Sequence, residues 1–470
     1  MVVEDYTASK QQKNNDINMT KVFIYDIEKP TNPELVRIVG QEGSFTNIRK
    51  VGQTVYMVLN YSPSYWLLEE SKSTELRPLA YDSIQGEDYE PIDYKDISIL
   101  PGTLEGQYSI IKAIDLTSSD EKAITTKGYL GGSSGLFMSE SALYLTGHKY
   151  EETVEVSDTA IFSTRDIWVP QVGDTDIYKW SVSGVNIDFV GAATVEGTVL
   201  NQYSMDEYNG YFRIATTEGS TRDEKSPSKN HLFVLNESMQ VVGQINDLAR
   251  GEKIYSARFM GDKAYLVTFK EVDPLFVIDV AEPTKPKVLG ELKIPGFSNY
   301  LHPLDERHLI GIGYDTKVMT TEYSKEPFIV TDSMKVSLFD VSDLNNPKEK
   351  DHVLIGGRGT YSEIQHDPKA LFRHEKLGLY GFPVVMYDET NDESRYLGDG
   401  ALVYEITAEN GITLKGNLID NTNSQMQYED WESTVQRIVY IGDTLFTVAR
   451  GEMKSYVLES YELLDTMKIK

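Results

Sequence analysis

A strand ending in apolar-Asp-apolar, a Pro-bearing turn and two further strand-like stretches recur along nearly all of this chain. The clearest copies begin at Phe23 (FIYDIEKPTNPELVRIV), Phe276 (FVIDVAEPTKPKVLGEL) and Ser337 (SLFDVSDLNNPKEKDHV), and each places a Pro seven residues after its Asp. A carboxylate at a strand end accepts hydrogen bonds from turn N–H groups, and Pro cannot continue a ladder. Asp26, Asp115, Asp279 and Asp340 therefore read as turn residues, since a catalytic group occurs once and these recur.

The other half of the unit is a hairpin, clearest from Phe45, Ile254 and Val435, with Gly52-Gln53, Gly261-Asp262 and Gly442-Asp443 at the turns. Gly takes a positive φ there without steric cost. Weaker copies start at Gly135, Gln202, Asn299 and Ala370, giving seven hairpins, each followed by an outer strand of the Asp-bearing type. One more outer strand, Lys21 to Ile27, precedes the first hairpin. Four-stranded sheets recurring about every 40 residues are the blades of a propeller, whose closure leaves only short edges.

The expectation is an all-β chain: a β-propeller of four-stranded antiparallel blades, seven or eight in number. One domain spans 21–470, with insertions at about 62–108 and 150–174, after a disordered or cut leader over 1–20. The unmatched first outer pair has two explanations. Either the chain starts inside a blade, or residues 1–43 complete the last blade as a strap. The C-terminal MKSYVLESYELLDTMKI supplies its own outer pair and favours the first.

Composition agrees, with 30 Tyr and few helical runs among 470 residues. A formal charge of −28 repels phosphate backbones, which excludes nucleic acid as a partner. With no Cys there is no disulfide, thiol nucleophile or thiolate-held metal. No stretch reaches the roughly 20 apolar residues of a membrane span, and MVVEDYTASKQQKNND lacks the regions of a signal peptide. A monomer is expected.

Several strings exceed what a propeller requires: VLNQYSMDEYNGYFRIATT (Val199 to Thr217), YSARFMGDKAYLVTFKEVDPLFVIDV, LGELKIPGFSNYLHPLDERHLIGIGYDT and KVSLFDVSDLNNPKEKDHVLIGGRGTYSE. Through them the chain resembles bacterial and archaeal secreted proteins with a C-terminal β-propeller distantly related to WD-type repeats. The resemblance implies the propeller fold, an extracellular or cell-surface location, and an export signal and further propeller sequence upstream. It implies no activity.

Function is expected where the repeats disagree. Aligning the hairpins brings Arg49, Phe137, Met205, Arg258, His302, Phe372 and Val439 to one inner position, an asymmetric wall for a central channel. QYSMDEYNGY sets Gln202, Met205, Asp206 and Glu207 together, and YLHPLDERH adds His302 and Asp305; paired carboxylates near a His suit a hard cation or acid/base work, though a polar turn needs the same residues. GGRGTYSEIQHDPKA gathers Arg358, Ser362, Glu363, His366 and Asp367 without a GxSxG elbow, which favours an inter-blade loop over a nucleophile. The 62–108 insertion interleaves Tyr81, Asp82, Asp88, Tyr89, Glu90, Asp93, Tyr94 and Asp96. Tyr gives contact area at low entropy cost, and adjacent carboxylates suit basic or polyhydroxyl ligands or calcium, although no EF-hand spacing is present.

The leading reading is an exported, non-catalytic propeller binding a protein, peptide or glycan at one face of the ring. Its contact residues would be Arg49, Gln202, Met205, Asp206, Glu207, Arg258, His302, Arg358, Glu363, Tyr89 and Tyr94. The alternatives are an extracellular hydrolase or lyase with a channel site, and a structural surface spacer. No cofactor is expected apart from calcium.

Overall fold

The computed structural model describes residues 2–5, 18–65, 75–103, 105–118, 120–151, 171–221, 226–270, 273–319, 328–390, 393–420 and 428–469. Their strands form eight sheets, five of four strands and three enlarged to five by short additions. The chain divides into two compact units: Met1–Ile214 with Phe233–Val242, and Ala215–Leu232 with Gly243–Lys470.

In the first unit all the expected hairpins form: Ser44–Val51 with Thr54–Tyr61, Gly135–Met138 with Ala142–Glu151, and Met205–Tyr208 with the strand that starts at Tyr211. Thr54–Tyr61 is buried from its first residue through Leu59, so its apolar run does not alternate. A strand covered on both faces has no solvent side to encode. The first sheet differs from the rest. Its outer pair, Met19–Asp26 and Glu34–Glu42, has the single strand Val2–Asp5 on its inner side and insertion residues on its outer side. Four residues carry too little periodicity to announce a strand, so Val2–Asp5 was not foreseen.

In the second unit the hairpins begin with Lys253–Met260, Phe297–Asp305, Phe372–His374 and Arg437–Ile441, and each is followed by its outer pair. The last sheet takes all four strands from Arg437–Lys468 rather than borrowing one from the N-terminus, and the described residues form eight blade-like sheets. Gly52, Gly261 and Gly442 sit at φ near 56°, 54° and 58°, the left-handed region the turns require.

The recurrent Asp behaves alike in both units. The N–H two residues on donates to the Asp carboxylate at 2.8 Å for Asp26, 2.8 Å for Asp115, 3.1 Å for Asp279 and 2.9 Å for Asp340. A β-bulge immediately precedes the Asp in Ile24/Tyr25, Val277/Ile278 and Leu338/Phe339, increasing local twist where the chain must turn.

The fourth residue after the Pro has a repeated task that the sequence does not announce: it meets the corresponding outer-pair turn of the following sheet. At Gly290 a Cβ would lie 2.6 Å from the Leu344 carbonyl oxygen, and at Gly243, on the corresponding strand of another sheet, 2.1 Å from that of Pro283. Only a residue without Cβ admits so close an approach. Where the position is not Gly it binds the next turn instead. Asp351 accepts from the Ile412 N–H at 2.8 Å, and Arg37 donates to the carbonyls of Ser118 at 3.3 Å and Asp120 at 3.4 Å. No helix among the described residues is long and apolar enough to cross a membrane.

Candidate functional site

The most built site lies in the first unit, where the 62–108 insertion crosses between two blades. Leu79–Asp82 extends the first sheet beyond Glu34–Glu42, with Val39 opposite Asp82 and Gln41 opposite Ala80. Glu90–Pro91 pairs back onto it, Tyr94–Asp96 makes one 3-10 turn, and Ile97–Ile99 joins the second sheet parallel to Ile124–Leu130. Local chemistry explains the path. Asp82 accepts the Ile84 N–H at 3.2 Å to start the turn, and the Glu42 carboxylate takes the Leu79 N–H at 2.9 Å to anchor the strand.

Between insertion and sheets lies a cavity of about 330 Å³, walled by Tyr81, Asp82, Asp88, Glu90, Ile92, Asp93, Asp96, Lys112 and Thr126 among others. Arg37, only 3% exposed, grips Asp82 through two bonds. Burial works against the Asp82 charge, but Arg37 and the Ile84 N–H outweigh it and hold the carboxyl below its usual range. Asp96 pairs with Lys127 at 2.7 Å, and Asp93 with Lys95 at 2.8 Å on the exposed surface. Asp88 and Glu90 are exposed and form no ion pair with any described residue.

Lys112 is the unusual member. It sits in the middle of Tyr108–Asp115, opposite Met57 and Thr126, and is 2% exposed. Its ammonium makes no hydrogen bond or ion pair with any described residue, although the side chain lines the cavity. Burial pushes its ammonium down to about 8; the Asp82 charge opposes that shift and Arg37 adds to it. The cavity thus has the Lys112 ammonium as well as the Arg37-bound Asp82 at its buried wall, and the carboxylates Asp88 and Glu90, unpaired among the described residues, on its exposed side. Of the two tyrosines expected here, Tyr89 packs on Tyr81 with ring centroids 5.4 Å apart, and Tyr94 stands 74% exposed under the Arg77 guanidinium, 4.1 Å from its ring centre.

The other residues of the first unit singled out from the sequence are engaged internally. Arg49 donates to Gln202 and to the Ile48 carbonyl, and burial lowers its pKa. Met205 is core, packed with Tyr144 and Phe212. Asp206 is paired with Arg213, whose guanidinium also lies 5.1 Å from the Tyr208 ring centre, and Glu207 lies 4.0 Å from Lys179. Burial, then the Glu207 charge, drives the Tyr144 hydroxyl far above its ordinary pKa.

In the second unit, His302 Nδ1 meets the Tyr300 hydroxyl at 3.0 Å and its ring lies edge-on to Tyr380. Burial, reinforced by Arg258 and Arg373, lowers its pKa to about 4, so the imidazole is neutral at pH 7. His302 and Asp305 were expected as one constellation, but Asp305 turns to His308, 2.9 Å away, and to the Arg307 N–H. Ser362 is 1% exposed, caps the turn Glu363–Gln365 and donates to the Pro383 carbonyl, while Asp367 pairs with Arg437. These bonds make a capping box rather than a nucleophile's triad. Arg358 accepts a bond from Ser394 through its carbonyl. Glu363 borders a smaller cavity of about 140 Å³ with Tyr361, Glu429 and Trp431. Both Glu429 oxygens there accept tyrosine hydroxyls, from Tyr361 and Tyr387 at 2.7 Å. The core of the 150–174 insertion, residues 152–170 with Trp168, lies outside the described residues.

Sequence reasoning had named the carboxylates and tyrosines of the cavity but missed Lys112 and Arg37. One signal was available for both: a lone cation inside an apolar strand, in IIKAI and LVRIV.

A family model described as Beta propeller domain matches residues 2–461. An uncharacterised protein of Methanocaldococcus jannaschii is 36% identical over 274 residues, which cover 58% of this chain and 37% of that protein. One of Archaeoglobus fulgidus is 26% identical over 491 residues, covering 91% of this chain and 68% of the relative. The chain thus spans little more than a third of the first relative's length. Among solved structures, AztD from Citrobacter koseri aligns at 11% identity over 97% of this chain and 96% of its own, with a TM-score of 0.41. The Neurospora crassa Pan2 WD40 domain aligns at 10% over 70% and 76%, with a TM-score of 0.36.

Proposed function

Because this chain belongs to the Beta propeller domain family, we propose that it is an exported, non-catalytic binding scaffold that takes a basic group of a peptide or protein into the insertion cavity. The observation that carries the reading is the pair Asp88 and Glu90, two carboxylates at a cavity mouth without a cationic partner among the described residues. The overall charge of −28 draws cationic ligands toward the molecule and speeds their encounter. Long insertions on rigid scaffolds are where recognition commonly resides. A glycan fits less well, because the exposed ring of Tyr94 already carries Arg77 on one face.

The hydrolase or lyase reading drew on Asp206, Glu207, Arg258 and His302; Asp206 is paired with Arg213 and Glu207 lies 4.0 Å from Lys179, which favours a structural use of both carboxylates. The spacer reading gives the cavity no task. Export rests on the family resemblance, and fractionation of cells producing the full-length protein tests it: recovery only from the cytosol overturns it.

The binding test is calorimetric titration with hexalysine amide at physiological salt. Asp88→Asn/Glu90→Gln should weaken binding about tenfold or more, while the equally charged control Glu459→Gln/Glu462→Gln should leave it unchanged. Equal weakening by both variants, or no binding by the wild type, overturns the reading.

A further inference from the structure

We propose that the cavity selects a zwitterion, seating a ligand carboxylate on Lys112 and the ligand's cationic group between Asp88 and Glu90. That is the chemistry of a basic amino acid, or of a peptide C-terminus ending in Lys or Arg. The inference rests on the reading of the cavity as a binding site and deepens it by assigning the ligand's second charge.

A buried ammonium without a hydrogen bond or counter-ion is costly, and such groups are found paired or coordinated. Lys112 is 2% exposed, lines the cavity and has no partner among the described residues. Asp82, the carboxylate whose charge acts on Lys112, is committed to Arg37 through two bonds and to the Ile84 N–H. A carboxylate arriving through the cavity would complete the pair that the protein leaves open.

The mouth then decides what kind of anion enters. A phosphate or dicarboxylate meets Asp88 and Glu90 with like charge, whereas a purely cationic ligand that penetrates to the wall meets Lys112. A ligand carrying both signs, carboxylate leading, meets an opposite charge at each end. Size agrees: about 330 Å³ lies at the lower limit of ligand cavities, the scale of one amino acid rather than an extended chain.

The first comparison needs only the wild type. Gly-Gly-Lys with a free C-terminus and Gly-Gly-Lys-amide differ only in the carboxylate, so calorimetry should find the acid about 10- to 100-fold tighter, the range of a charge-assisted contact. Free L-lysine beside the tripeptide identifies the source. A tighter fit for L-lysine points to the free amino acid, and a tighter fit for the tripeptide to a peptide end. Lys112→Met should erase the preference for acid over amide. If acid and amide bind alike while hexalysine amide still depends on Asp88 and Glu90, the zwitterion inference fails and the cationic site stands. If none of these probes binds, both fail.

Discussion

Arg37 and Asp82 form a two-point ion pair, Nε to Oδ1 at 3.0 Å and Nη2 to Oδ2 at 2.6 Å, at 2% and 9% side-chain exposure. Arg37 occupies the position whose counterparts are Gly290 and Asp351, so one residue both seats the next blade's turn and fixes the insertion over the cavity. Removing one partner of a buried pair leaves the other charged and unsatisfied. Asp82→Ala should therefore cost about 3–5 kcal/mol in urea unfolding, and Arg37→Met/Asp82→Leu distinctly less. Equal losses would show that the pair matters only through packing.

Gly243→Ala tests the seat itself. Its new Cβ would stand 2.1 Å from the Pro283 carbonyl oxygen, which is backbone and cannot step aside. A loss of about 1–3 kcal/mol is expected, the usual cost of overpacking. The same change at Gly184, an open turn with nothing near its Cβ but φ at 55°, carries backbone strain alone and separates the two effects.

Lys112 predicts a pH signature. Its folded pKa of about 8 lies below the ordinary 10.5, so below pH 8 both states hold the proton and the full burial penalty applies. Between about 8 and 10.5 the unfolded state keeps a proton that the folded state releases, and stability rises with pH. Lys112→Met should be more stable than wild type by roughly 3 kcal/mol at pH 7, with the gap closing near pH 10.5. Parallel profiles for the two proteins would contradict this.

Calcium is checked by melting with and without chelator. Asp82 and Asp96 already hold cations and the Lys112 ammonium lines the same cavity, so a dication there meets like charge. An unchanged midpoint is expected; a chelator-sensitive rise of several degrees that Asp88→Asn/Glu90→Gln abolishes would make the cavity a metal site.

What could be read in advance was local. Asp26, Asp279 and Asp340 cap their own turns, and Gly52, Gly261 and Gly442 turn their own hairpins, so chemistry and partner lie within a few residues. What escaped depends on distant chain. Gly290 looks like an ordinary strand glycine until the carbonyl of Leu344 is brought against it. Leu79–Asp82 and Ile97–Ile99 become strands because two sheet edges are free to receive them, which no periodicity within three or four residues encodes. The tyrosines and carboxylates of the insertion were visible as recognition material, yet the residue that gives their cavity a second sign, Lys112, lies on a core strand outside it.

The central claim is that this propeller binds through a cavity bearing both charges, and titration of wild type and Lys112→Met with Gly-Gly-Lys and its amide tests it most directly. The account predicts that wild type prefers the free acid by about tenfold or more and that the variant, still folded, binds acid and amide alike. A wild type indifferent to the carboxylate, or a variant that keeps the full preference, would contradict it.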